Sequence, residues 1–178
     1  HSSKTGGLSI QKQSADTSIS DQYNNGYYSL KGAKYGVYSD STCKTLVTTI
    51  TTNASGYAAT KDNELKEGIY YVKEIEASVG YELDKTVYTF DVEGGKVASK
   101  NKQTSSEPPK TAKIELQKKS GDPEVTEGNE NYSLKDAEYT VYRDKDCTEV
   151  VGVIKTNENG YGALIGLPLG IYFVKETK

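Results

Sequence analysis

"YYVKEIEASVGY", residues 70–81, decides the fold class. Its first half alternates, with Tyr70, Val72 and Glu74 on one side of an extended chain and Tyr71 and Lys73 on the other, because successive strand side chains point to opposite faces. Its second half closes on Gly80-Tyr81, a turn signal. An apolar series that ends in an acid drives a carboxylate toward the interior, and a buried charge must be paired, neutralised or consumed. The stretch therefore predicts a half-buried β-strand and demands a partner for Glu74.

The same period recurs along the chain. "AKYGVY" sets Ala33, Tyr35 and Val37 against Lys34, Gly36 and Tyr38, and "TVYTFDV" sets Tyr88, Phe90 and Val92 against Thr89 and Asp91. "VEGGKV" reads as a hairpin turn, with Gly94 and Gly95 supplying positive φ, and "NASGY" and "NENGY" read as turn-to-strand junctions. Fifteen Tyr and seventeen Gly in 178 residues, with only 34% apolar residues, suit thin strand-and-turn layers better than thick helical ones. No convincing helix is predicted, and 14–28 and 120–132 read as long polar loops. The expected fold class is all-β, built from antiparallel β-sandwiches of the Ig-like kind.

The chain also repeats itself. "SLKGAKYGVYSDSTCK" (29–44) aligns with "SLKDAEYTVYRDKDCT" (133–148), and "TNASGYAA" (52–59) with "TNENGYGA" (156–163). "GIYYVKE" (68–74) aligns with "GIYFVKE" (170–176), and "LSIQKQSAD" (8–16) with "IELQKKSGD" (114–122). A unit of roughly 100 residues is a domain rather than a solenoid repeat. The reading is two tandem sandwiches, 1–103 and 112–178, joined by a stiff Pro-containing linker at 104–111. By the repeat, the second copy lacks its last two strands in this chain; a cut sequence or a strand from another chain accounts for that, and a monomer is expected unless another chain completes it.

Both first strands end an inward apolar series with a lysine: Leu8, Ile10, Lys12 and Ile114, Leu116, Lys118. Both later strands end one with an acid, Glu74 or Glu176. Lys119 falls on the opposite face. The stretch "KVASKNK" puts Val97, Ser99 and Asn101 on one face of an expected last strand. Two outcomes fit. Lysine and glutamate form a buried ion pair, or the lysine amine attacks the Asn101 side-chain carbonyl, ammonia leaves and a neutral amide remains. The second needs an amine stripped of its proton, which burial favours, an acid to carry protons, and a fold that holds nucleophile against carbonyl.

These residues carry a resemblance. "YYVKEIEASVGY" resembles the E-box of Gram-positive pilins and surface adhesins, Y-x-L-x-E-T-x-A-P-x-G-Y. Tyr70, Glu74, Ala77, Gly80 and Tyr81 match, whereas Val72, Ile75 and Ser78 depart from it; the second copy matches at Tyr172, Glu176 and Thr177. With "KGAKYGVY", "TTNASGY" and "LPLGIYFVKE", both units resemble Cna-B-type, transthyretin-like domains. The resemblance implies an autocatalytic isopeptide bond between Lys12 and Asn101 with Glu74 as catalyst, and Lys118 with Glu176 in the second copy, the acceptor there having no position in the chain. Asn24, Asn25 and Asn63 are competing acceptors for Lys12. Such a bond, by analogy with disulfides closing loops of similar length, stabilises by about 4–5 kcal/mol.

The implied role is a structural stalk segment of a cell-surface adhesin or pilus protein, extracellular and anchored to the cell wall through regions outside this chain. The self-crosslink acts once, so no enzyme is expected, nor any cofactor or metal site. The rival reading is a recognition module that binds a host protein or glycan through Tyr- and Asn-rich loops, "DQYNNGYY" (21–28) and "GNENYSL" (128–134). A net charge of −3 with interspersed signs offers no basic stripe for nucleic acid. No apolar run is long enough for membrane insertion. Cys43 and Cys147 occupy matching places in the two copies and read as isolated thiols. "LPLGI" (167–171) leads into a strand and is set aside as a sorting signal.

Overall fold

The structure, a computed structural model, describes residues 4–98, 101–121 and 133–178. The chain divides into two compact units, His1–Lys110 and Thr111–Lys178.

The first unit holds β1 (Thr5–Gly6), β2 (Ser9–Ser14), a one-turn helix α1 (Thr17–Ser20), β3 (Lys34–Tyr38), β4 (Leu46–Thr51), β5 (Tyr57–Ala59), β6 (Leu65–Lys66), β7 (Gly68–Glu76), β8 (Tyr88–Val92) and β9 (Lys102–Glu107). One sheet runs β4-β3-β7-β8 and another β5-β2-β9, with β1 and β6 as a small extra pair. The inward series meet in one core: Leu8, Ile10, Ala33, Tyr35, Val37, Tyr70, Val72, Phe90 and Val92 are all buried in it. Alternation placed these residues correctly because each of these strands turns one face into the core between the sheets.

Four expectations change. The long loop at 14–28 contains α1, whose N-terminus is capped where Asp16 Oδ1 accepts from the Ser18 N–H at 3.0 Å. Residues 104–107, expected as linker, lie in β9, and the next strand begins at Thr111. The Gly94-Gly95 turn does not return β8 onto itself; the chain crosses to the other sheet, where β9 joins β2. That pairing is parallel, from Ser9 opposite Lys102 to Ser14 opposite Glu107, in a sandwich expected to be antiparallel throughout.

The second unit holds β10 (Thr111–Gln117), β11 (Glu138–Tyr142), β12 (Val150–Lys155), β13 (Tyr161–Pro168) and β14 (Phe173–Glu176). β10 pairs with β13, and β11 lies between β12 and β14. Local devices recur in matching places. Thr52 and Thr156 each donate to a leucine carbonyl, of Leu30 and Leu134, and accept from the N–H of Ala33 and Ala137. Among the described residues, the edges of β10 and β14 that correspond to the β9 and β8 sides of β2 and β7 carry no strand. Most of the loop expected at 120–132, and the start of the Tyr/Asn-rich segment at 128–134, lie outside the described residues.

Candidate functional site

Lys12 and Glu74 meet inside the first unit. Lys12 Nζ donates to Glu74 Oε2 at 3.1 Å, and both side chains are fully enclosed. β2 brings the lysine and β7 the acid, so the pair ties one sheet to the other. The ring of Tyr81, from the turn of the opening stretch, lies 5.1 Å from Nζ and adds its π-face to the cation's surroundings. Gly56 fixes the height of the lysine. The Lys12 N–H donates to the Gly56 carbonyl at 2.7 Å, and a Cβ at Gly56, whose φ is +84°, would stand 2.4 Å from the Lys12 carbonyl oxygen. Only glycine permits that approach in that conformation.

The remaining Glu74 oxygen leads into a polar cluster that alternation did not reveal. Oε1 accepts the Asp84 backbone N–H at 2.9 Å. Asp84, itself buried, accepts from the Thr86 N–H at 2.9 Å, from Ser105 Oγ at 2.6 Å and from the Tyr88 hydroxyl. Ser105 Oγ in turn accepts from the Tyr35 hydroxyl at 2.8 Å. Burial pushes the Tyr35 phenol well above its ordinary range, and burial with the Asp84 carboxylate pushes Tyr88 up to about 12. For Asp84, burial acts upward, but the hydrogen bonds from Ser105 and Tyr88 prevail and hold the carboxyl below its usual value. Glu107, at the end of β9, is pushed up to about 7 by burial and by the neighbouring Asp84. Lys12 thus faces a set of acids and hydroxyls rather than a single partner.

Asn101 is not in this cluster. Its carbonyl accepts from the Ser9 N–H at 3.0 Å, while the parallel register sets Lys12 opposite Ser105. Asn101 therefore lies four residues back along the chain from the position opposite Lys12, roughly 13 Å away at the rise of a strand. Among the described residues its buried Nδ2 has no hydrogen-bond partner. The expectation that Asn101 faces Lys12 came from starting the last strand at Val97, and the strand starts at Lys102.

In the second unit Lys118 Nζ donates to Glu176 Oε2 at 2.8 Å, the same contact with the side chains 30% and 45% exposed. The clamp is repeated: the Lys118 N–H donates to the Gly160 carbonyl at 2.7 Å, and a Cβ at Gly160 would stand 2.4 Å from the Lys118 carbonyl oxygen. Hydrogen bonds from Lys118 and Tyr139 hold the Glu176 carboxyl below its ordinary value. Among the described residues no group of His, Cys, Asp and Glu is arranged to hold a metal. Cys43 and Cys147 are free thiols on matching turns.

A pocket of about 520 Å³ opens at one end of the first unit, lined by Asp21, Tyr28, Ser29 and Tyr81 among others. It adjoins the Tyr-rich segment 21–28, in which Tyr27 is exposed. Among the described residues no helix is long and apolar enough to cross a membrane.

No curated protein is detectably similar to the chain. Among solved structures, the Bacillus anthracis TIE protein is 30% identical, with a TM-score of 0.68 over 98% of this chain and 28% of that one. The chain thus spans little more than a quarter of that relative's length. BcpA, the major pilin subunit of Bacillus cereus, aligns over 98% of this chain and 88% of its own at 13% identity and a TM-score of 0.47. The group B streptococcus pilus 2b backbone protein aligns over 59% and 41% at 20% identity, with a TM-score of 0.41. The family profile of the SpaA prealbumin-like fold domain matches residues 15–106, a span that begins just after β2, runs into β9 and contains Glu74, Asp84, Tyr88 and Ser105 but not Lys12. The chain belongs to the SpaA family of prealbumin-like fold domains.

Proposed function

We propose that the chain is a stalk segment of a Gram-positive surface protein, a pilus or adhesin, made of tandem prealbumin-like modules that hold a distal region away from the envelope. The observation that carries this reading is the parallel pairing of the first unit's β2 with its last strand. In a parallel pair the two N-terminal ends lie together. Tension applied at the start of β2 and the end of β9 therefore draws the strands past each other lengthwise. All the hydrogen bonds of the ladder are loaded at once rather than peeled one by one, and the enclosed Lys12–Glu74 contact must break with them. The role is mechanical and structural, not enzymatic.

Single-molecule pulling on the intact chain tests this. Handles at residues 8 and 110 load the β2–β9 ladder in shear, and handles at residues 8 and 101, at the adjoining N-terminal ends of the two strands, peel it bond by bond. The stalk reading predicts a markedly higher rupture force for the first geometry. Equal, low forces in both would overturn it.

In the finer, covalent version of the reading, Lys12 would be the nucleophile and Glu74 the proton carrier, roles that their enclosed 3.1 Å contact supports once a side-chain carbonyl stands against the amine. The position of Asn101 does not support it as the acceptor. For Lys118 and Glu176 the amine and acid are likewise in contact. The parent protein's host partner, a protein or glycan, and its anchorage to the cell wall belong to this proposal as well.

The pocket beside residues 21–28 favours a second role, recognition of a host protein or glycan. A glycan array or pull-down with the intact chain should lose any signal on Tyr27→Ala; binding that survives Tyr27→Ala and Tyr23→Ala excludes these loops.

A further inference from the structure

The amide-forming reaction needs a side-chain carbonyl carbon against the Lys12 amine, and strand register says which residue occupies that place. Lys12 is opposite Ser105 in the β2–β9 pair. Directly opposite residues of a parallel pair share a face, and both side chains point inward: each residue is fully enclosed. Ser105 is further joined to the lysine through a continuous chain of contacts, Ser105 Oγ to Asp84, the Asp84 N–H to Glu74, and Glu74 to Lys12 Nζ. A serine hydroxyl has no acyl carbon for an amine to attack.

We infer that position 105 is the acceptor position of the first unit, and that with Ser105 there the unit keeps its lysine and glutamate unreacted, closed by an ion pair instead of an amide. The inference concerns the chemistry of the tie and not the stalk role, which rests on strand topology. Ser105 has work of its own in this state. It accepts from the buried Tyr35 hydroxyl and donates to the buried Asp84 carboxylate, which the Tyr88 hydroxyl and the Thr86 N–H also serve.

The inference also says what rearms the site. In Ser105→Asn a side-chain amide carbon replaces the hydroxyl at the position opposite Lys12. The Lys12 nitrogen forms a bond to that carbon and the bond from carbon to the amide nitrogen breaks. Glu74 takes a proton from the attacking amine and returns it to the leaving nitrogen, which departs as ammonia. In Ser105→Asp the same bond forms, the carbon–hydroxyl bond of the protonated carboxyl breaks, and the hydroxyl leaves as water with the proton that Glu74 takes from the amine.

Intact-mass spectrometry of the whole chain decides it. The natural chain should have the mass of its sequence, and after denaturation Lys12 should label fully with an amine reagent. Ser105→Asn should be lighter than its own sequence mass by one ammonia, Ser105→Asp by one water, and the loss should vanish in Ser105→Asn/Glu74→Gln. Asn101→Ala should leave the mass at its sequence value. A natural chain already lighter by ammonia or water, with Lys12 refractory to labelling, would overturn the unreacted state. Folding is read by circular dichroism; variants that fold without mass loss, or a failure of both position-105 variants to fold, would overturn the assignment of the position.

Discussion

The two units hold the same lysine–glutamate contact at nearly the same length, yet one pair is enclosed and the other is wet. Lys12 and Glu74 are sealed between β2 and β7, with Tyr81, Asp84 and β9 around them; Lys118 and Glu176 are 30% and 45% exposed. The glycine clamps behind the lysines are alike to within a tenth of an ångström. Position along the strand and the clamp therefore set the contact, and the covering strand sets its energetic weight. An enclosed charge left without its partner cannot recruit water, whereas an exposed one is solvated at once.

The contrast is broken most forcefully at the acid. Glu74→Gln should destabilise the first unit by about 3–5 kcal/mol, because the lysine is left charged in a dry core. Native-state hydrogen exchange read at β2 and β7 amides reports it unit by unit. A loss no larger than that of an exposed pair would mean that the first site is as wet as the second.

The glycine clamps should behave alike in both units. Gly56→Ala and Gly160→Ala each force a side chain into a left-handed conformation, costing roughly 1–2 kcal/mol before the collision with the lysine carbonyl is added. The losses should match within experimental error at β2 and at β10. A large difference would show that the clamp, and not only the cover, distinguishes the units.

Acidity sharpens the comparison because the signs oppose. Glu107 holds its proton up to about 7 in the folded chain, above the ordinary carboxyl value of 4.5, with Asp84, Glu74 and Lys12 as its charged neighbours. Between those limits the native state binds more proton than the unfolded one, so first-unit stability should fall as pH rises from about 4.5 to 7. Glu107→Gln should flatten that slope in urea unfolding. Glu176 is shifted the other way. Its contribution is present above the ordinary carboxyl range and is lost as pH falls through its lowered value. The smallest effect belongs to that same residue: Glu176→Gln should leave the stability of the second unit nearly unchanged, with any loss shrinking further at high salt.

Much of this was legible in the residues. The phases of Leu8-Ile10-Lys12 and Tyr70-Val72-Glu74 follow from period-two alternation, which is strong where one face is covered. The cluster beyond Glu74 was hidden because its members carry no period. Asp84 lies in a stretch without alternation between Tyr81 and Tyr88. Ser105 and Glu107 belong to "KQTSSE", whose polarity and following prolines imitate a linker; a strand that buries mainly Ser105 shows no apolar series. The parallel crossing to β2 is a long-range event that no local signal encodes. Asn101 attracted attention because the strand was begun too early; with the start at Lys102 the register sets Ser105, not Asn101, opposite Lys12.

A double-mutant cycle on Lys12 and Glu74 tests the central claim most directly, with exchange at β2 and β7 amides as the readout. The account predicts that Lys12→Met and Glu74→Leu are each costly by several kcal/mol, and that the pair together costs far less than their sum, since an apolar pair leaves no stranded charge. Additive losses would contradict it, for they would mean that the two side chains do not depend on each other inside the fold.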